Sequence, residues 1–326
     1  MFDIITVGSA TVDVFAHTES ELIKIKSIEG EEELIAYPSG SKILIKNIDF
    51  QTGGGGTNTA VGFARLGLKT AFIGRLGRDS NAKLVLSELK KEKVTFLGQQ
   101  GNGFTGYSIV LDSIEEDRTI LAFKGENNNL GFPKKERLLT RWFYFSSMVD
   151  KSFKTQESIS MFAKKRGIKI AFNPSSYLTK MGLSYIKKIL ENCTVVVMNK
   201  EEAEMLFGKK SIDNMLMLLI KKGPVISVIT DGKNGVYACD GKRFYFQQAN
   251  KVKVAETTGA GDAFASGFVS GMILKNDIKF AMNLGMANAT SVVMHIGAKN
   301  KLLKLSEAMR AIKKNKKIRV KRCSPA

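Results

Sequence analysis

The chain has 326 residues, 44% of them hydrophobic, which suits one large α/β domain or two modest ones with a sizeable core. No apolar run reaches the roughly eighteen residues of a membrane span, and the start MFDIITVGSA lacks the basic region of a signal peptide. The formal charge is +19, but the lysines are spread along the whole chain without interleaved aromatics. The cluster KKNKKIRVKR at 313–322 therefore reads as part of a solvated basic tail (313–326), and a nucleic-acid partner is not expected. Three scattered cysteines give neither a disulfide framework nor a zinc site and point to a reducing cytoplasm. A basic field would still draw in anionic substrates such as nucleotides.

In chain order, IITVG (4–8) predicts a buried strand and KILIKNIDF (42–50) a half-buried one. GGGGTNTAVGFARLG (53–67) is a glycine turn opening a helix. TAFIGRLG (70–77) predicts a strand and 81–94 an amphipathic helix. TGYSIVLD and RTILAF, joined by SIEED, predict a hairpin. From residue 142 the pattern turns regular. Strands at 142–148, 168–174, 194–199 and in VISVITDG alternate with helices at 155–167, 183–193, 200–208 and 212–223. A hairpin turning at Asp240–Gly241, helices over 260–275 and 277–294, and a charged terminal helix complete the chain. Such alternation predicts a largely parallel sheet covered on both faces. Residues 15–50 and 104–123 interrupt it and predict a small second sheet outside the main layers, a lid.

TTGAGD (257–262) carries the strongest chemistry. Small residues let backbone N–H groups converge, and a helix N-terminus adds partial positive charge, so Gly259, Ala260 and Gly261 form a candidate anion hole. Asp262 sets a carboxylate beside it, where an attacking hydroxyl needs a proton acceptor. On the residues alone, Asp262 also reads as a complement to the helix dipole. The run Gly53–Gly56 is entropically costly without a ligand or a close backbone, and Asn58 follows it with a group that both donates and accepts hydrogen bonds. Asp13, after the first strand, can accept bonds from sugar hydroxyls, or can simply be a turn residue. Asn199 and Glu202 lie three apart, which fits a capping box as well as a carboxylate organising water around magnesium. Thr230 and Gly232 end a strand in a polar turn. The two histidines, His17 and His295, have no nucleophile at a recognisable spacing.

GGGGTNTAVGFARLG and TTGAGDAFASGF together resemble the two signatures of the PfkB (ribokinase-like) family of carbohydrate and nucleoside kinases. NKEE and ITDGKNG are similar to its Asn-x-x-Glu motif and nucleotide-contact turn, and the resemblance runs from residue 4 to about 298. It implies a single ribokinase-like domain over 1–326, a three-layer α/β/α fold with a largely parallel sheet and a small β-lid. It further implies γ-phosphoryl transfer from ATP, with Mg2+, to a hydroxymethyl group of a sugar. In those terms Asp262 is the base and Gly259, Ala260 and Gly261 the anion hole. Asn199 and Glu202 serve the magnesium–phosphate site, Glu202 through water. Thr230, Gly232 and Asn288 lie near the nucleotide. Asp13, Gly54, Gly55 and Asn58 face the acceptor, and Arg118 reaches it from the lid. Glu256 stands where many members carry an aspartate that helps hold K+; its extra methylene puts K+ activation in doubt. Thr11 and Gly55 replace an asparagine and a lysine frequent in ribokinases, which weakens a strict ribose assignment. A nucleoside is the alternative acceptor, with Phe15, Tyr37 and Phe104 as candidate stacking aromatics. A non-catalytic sugar- or nucleotide-binding regulator is the alternative outside enzymes. Ile43, Ile45, Ile109 and Leu111 suggest an apolar lid face and a homodimer joined lid to lid.

Overall fold

The computed structural model describes residues 1–17, 22–27, 30–35, 39–112 and 118–323. Among these, a ten-stranded sheet runs, in spatial order, through Arg319–Arg322, Arg243–Gln247, Val236–Cys239, Ile226–Thr230, Val195–Asn199, Lys169–Phe172, Thr140–Phe145, Phe2–Val7, Thr70–Ile73 and Thr95–Phe96. From Thr95–Phe96 to Ile226–Thr230 neighbours are parallel; the last three strands join antiparallel.

Alternation along each strand divides the core in two. Phe143, Phe145, Ile5 and Phe172 pack on one face with Phe153, Ile186 and Leu216. Trp142, Tyr144, Ile4 and Val197 pack on the other with Phe63, Phe264, Phe268 and Met282. Residues such as Ile4, Ile5, Phe143 and Tyr144 are therefore fully buried in neighbouring positions, which is why these strands read as continuous apolar runs. This is the three-layer α/β/α arrangement expected. Helices start on side-chain caps where the sequence supplies them: Asp79 accepts from the Ala82 amide and Asp277 from the Phe280 amide.

A separate four-stranded sheet, ordered Arg118–Phe123, Gly106–Asp112, Thr11–His17 and Asn47–Gly53, stands outside the main layers. The two lid segments meet where Thr11–His17 pairs in parallel with Gly106–Asp112. Two expectations are corrected here. The strand placed at 42–50 begins only at Asn47, and Ile43 and Ile45 are exposed residues before it. The hairpin Leu22–Ser27 and Gly30–Ile35 is a sheet of its own. Tyr37, the turn 113–117, the side chain of Arg118 and residues 324–326 lie outside the described residues. The basic segment is likewise more than a solvated tail, because Arg319–Arg322 hydrogen-bonds to Arg243–Gln247 as the sheet's edge strand. No helix among the described residues is long and apolar enough to cross a membrane.

Candidate active site

The parallel strands all end on one side, where the chain must turn and its polar groups are free to meet a ligand. Phe2–Val7 delivers Ser9, Thr140–Phe145 delivers Ser146, Val195–Asn199 delivers Asn199, and Ile226–Thr230 delivers Thr230. Two helix starts converge on this rim.

The first follows the glycine run. Gly53 leaves no room for a side chain because a Cβ would fall 1.8 Å from an Asp13 carboxylate oxygen. Gly54 has φ +94°, and a Cβ there would sit 2.6 Å from the Ser9 carbonyl oxygen. A Cβ on Gly55 would lie 3.1 Å from Ser146 Cβ and 3.5 Å from Asp262 Oδ1, so Gly55 forms the floor between them. Gly56 packs on Gly8. The run is thus a close approach of three backbone segments and two carboxylates.

The second start is the helix Ala260–Lys275. Gly259, its N-cap, has φ +79° and a Cβ there would strike Ala298 at 2.6 Å. Gly261 faces open space, and Asp262 occupies the first turn. First-turn N–H groups have no partner within their own helix, so the amides of this turn are donors aimed at the rim. Ala260 is the exception, since its N–H donates to the Thr257 carbonyl at 3.1 Å.

Asn58 joins the two starts: its Nδ2 donates to Asp262 Oδ2 at 2.9 Å across 204 residues of sequence. Burial pushes the Asp262 carboxyl up to about 6, against the opposing pull of the Asn58 bond and the Lys299 charge. Asn58 Oδ1 and Ser146 Oγ are buried and have no protein partner among the described residues, although each is a strong hydrogen-bonding group. Two such groups beside an activated carboxylate are what a polyhydroxylated ligand would satisfy. Asp13 is also raised, chiefly by burial; hydrogen bonds from Ser108 and Thr11 and the charges of Lys299 and Lys124 oppose that rise.

On the other side of the Gly259–Asp262 turn lies a cavity of about 740 Å³. Thr230, Gly232, Thr257, Ala260 and Gly261 line its polar end, and Phe264, Val236, Met286 and Val293 its apolar walls. An apolar slot ending in a helix N-terminus suits a flat ring carrying phosphates.

Asn199 and Glu202 form a reciprocal capping box: Asn199 Oδ1 accepts the Glu202 amide at 2.7 Å and Glu202 Oε2 accepts the Asn199 amide at 2.9 Å. Burial raises the Glu202 carboxyl, and the negative charges of Glu201 and Asp262 add to the rise. Asn288 is not at the cavity. It is fully buried, donates to the Ala263 carbonyl at 2.8 Å and accepts the Leu303 amide at 3.0 Å, which fastens one helix to the next. Its neighbours Ala289 and Thr290 line the slot instead. Arg118 begins a lid strand.

Sequence reasoning did not single out Ser146, Lys299 or Lys124. Ser146 carried a usable signal, since it ends a predicted parallel strand. Lys299 carried none: it is buried, with its ammonium bonded to Glu88 and to Thr52, residues more than 200 positions away.

The family model described as "pfkB family carbohydrate kinase" matches residues 2–305. An uncharacterized sugar kinase of Archaeoglobus fulgidus is 28% identical over 74% of this chain and 98% of its own length. A ribokinase of Haemophilus influenzae is 25% identical over 81% of this chain and 88% of its own. The structure of an Arabidopsis thaliana ribokinase complexed with ribose and ATP superposes with TM-score 0.82 at 20% identity, covering 96% of this chain and 99% of that one. These solved-structure likenesses concern the fold.

Proposed function

We propose, from the premise that the chain belongs to the pfkB family of carbohydrate kinases, phosphotransferases with an alcohol acceptor, that it phosphorylates a hydroxymethyl group of a sugar with ATP. The observation that carries this reading is the Asn58–Asp262 hydrogen bond, which sets a carboxylate titrating near 6 at the mouth of the Gly259–Asp262 turn. A base of that strength is mostly ionised at neutral pH yet still holds a proton well enough to draw it from an alcohol. The acceptor hydroxyl meets Asp262, with Asp13, Asn58 and Ser146 ordering the remaining hydroxyls. The adenine and ribose of ATP occupy the slot by Thr230 and Gly232, and the γ-phosphorus lies at the first turn of the helix. As the acceptor oxygen bonds to that phosphorus, the bond to the β-phosphate oxygen breaks, ADP departs and Asp262 takes the hydroxyl proton. The turn's amides and positive helix end stabilise charge on the moving phosphoryl group.

Magnesium keeps most of its waters and binds phosphate oxygens, so on this reading it needs no cluster of ligating side chains. Glu202 would hold that water shell while its other oxygen keeps the cap; the ion would neutralise phosphate charge. The Glu256 carboxylate accepts the Gly297 amide at 2.7 Å, so this reading gives it a bridge between two loops rather than K+ binding. A nucleoside is the second acceptor reading, favoured by Phe15, which shares Asp13's face of its strand two residues on.

The test is ATP turnover against a panel of sugars and nucleosides with Asp262→Asn as comparison. The variant should keep its circular dichroism and bind ATP while losing about 10²–10⁴-fold in kcat. Parent-like turnover by the variant would remove the assignment.

A further inference from the structure

Lys124 directly follows the lid strand Arg118–Phe123, at the point where the lid meets the body. Its Nζ lies 3.9 Å from the centre of the Tyr177 ring, which comes from the helix Ser175–Thr179 after a parallel strand. Among the described residues no carboxylate pairs with it. Tyr177 is 51% exposed, and a cation over an exposed ring is held only weakly.

Between lid and body, Lys124 helps line a small cavity of about 30 Å³ with Ser9, Asn127, Asn128, Ser147 and Tyr177. No acidic side chain lines it. Met148 and Val149 form its apolar side; on the polar side stand the Ser9 and Ser147 hydroxyls, two amides and one ammonium, groups that can donate to an oxygen anion. Asn127 is spent on structure, with its amide exchanging bonds with the Ala10 N–H and carbonyl at 2.9 and 2.8 Å; this fixes Ser9 beside the cavity. Asn128 is turned to Asp150 at 2.8 Å. The cavity adjoins the proposed acceptor site: the carbonyl of Ser9, which lines the cavity, accepts the Gly56 amide at 3.1 Å, and Asp13 lies four residues on. The Lys124 charge acts on Asp13.

We infer that the acceptor carries an anionic group, carboxylate or phosphate, at the end remote from its reacting hydroxymethyl, and that Lys124 receives that group. The inference rests on the kinase reading of the same site. A neutral sugar would give the ammonium no opposite charge, while an oxygen anion converts it to a charge-assisted pair in a partly desolvated pocket. Lys124 is then a specificity-determining residue, and Tyr177 holds its stem in place.

The experiment uses the full chain, the variants Lys124→Met and Lys124→Arg, and three probes with a free hydroxymethyl group: D-ribose, D-gluconate and D-fructose 6-phosphate. The parent should favour one of the two anions over ribose in kcat/KM, and whichever leads identifies carboxylate or phosphate. Lys124→Met should cut that preference about ten- to a hundredfold, mainly through KM, with Lys124→Arg recovering most of it. An unchanged preference in Lys124→Met, or a parent that favours ribose, overturns the inference. Should no probe be phosphorylated, titration calorimetry with the same two anions decides. Binding weakened in Lys124→Met supports the anion site even as the kinase reading falls, and binding equal in both proteins, or absent from both, overturns it.

Discussion

Asp262 is held at odds with its own ionisation. The fold places it under the Asn58 amide and against apolar packing, and the carboxyl rises from 3.8 to about 6. Two consequences follow with opposite signs. Activity needs the ionised form, so kcat/KM should climb through pH 6 and level above it; a profile flat from pH 5 to 8 would show that another group accepts the proton. Stability runs the other way. A carboxyl raised on folding binds its proton more tightly in the folded state, so stability present below about pH 4 is lost as pH rises toward 6. Asp262→Asn, which keeps a carbonyl for the Asn58 donor, should therefore be more stable than the parent at pH 7. Allowing for the carboxylate's partial exposure, the gain is about 1–2 kcal/mol and should vanish near pH 4 in urea titrations at both pH values. Asp262, Asp13 and the glycines were legible because small residues before a carboxylate at a helix start is a local pattern. Lys124 and Lys299 were not, because a lysine among fifty basic residues has no local mark; only the folded chain shows that Lys124 lies over the Tyr177 ring and that Lys299 is buried.

Among the elements, the pair Ala260–Lys275 and Ile278–Val293 fixes the rim. Its first helix has Gly267 and Gly271 about one turn apart, with Asp262 in the first turn of the same helix. A Cβ on Gly267 would meet Gly285 Cα at 2.7 Å, and one on Gly271 would meet Ala281 Cα at 2.4 Å. The helices therefore cross backbone to backbone, and Asn288 ties them at Ala263 directly after Asp262. Helix propensity alone says that Gly271→Ala stabilises by about 1 kcal/mol. The crossing says that it destabilises, by about 1–3 kcal/mol, because the added methyl must push two backbones apart. A raised melting temperature in Gly271→Ala would refute the close crossing. The small-residue helix was legible as a helix, but its reason was not, since the partner positions lie on the next helix. The two misplaced elements fail for a similar reason. KILIKN alternates well, yet residues 42–46 join no strand among the described residues, while Arg319–Arg322 looks like a tail until Arg243–Gln247 offers its open edge.

At the scale of the molecule, the proposed function makes the small four-stranded sheet a lid over the site. Strand register places Phe50, Val14, Ile109 and Leu121 in one row across the lid, with Phe123 and Ile48 on the same face. Phe50 is 60% exposed and Leu121 53%, while Asp13 and Ser108 face the opposite way, Asp13 toward Gly53. The expected apolar face thus exists, built from different residues than Ile43 and Ile45. A sheet that is polar toward its ligand and apolar toward water has its layers inverted unless something covers the outside. We propose that a second copy does so, lid against lid, and that this stiffens each lid over its own site. Light scattering should then give about twice the 35.9 kDa chain mass, and the double substitution Phe50→Glu with Leu121→Glu should give monomers. Amide exchange in 47–53 and 118–123 should rise in those monomers, and acceptor KM should rise with it, because a looser lid closes at a cost in binding. A parent that is monomeric at assay concentration, with slow exchange in both strands, would show that the lid is rigid by itself and that its outer face serves some other contact.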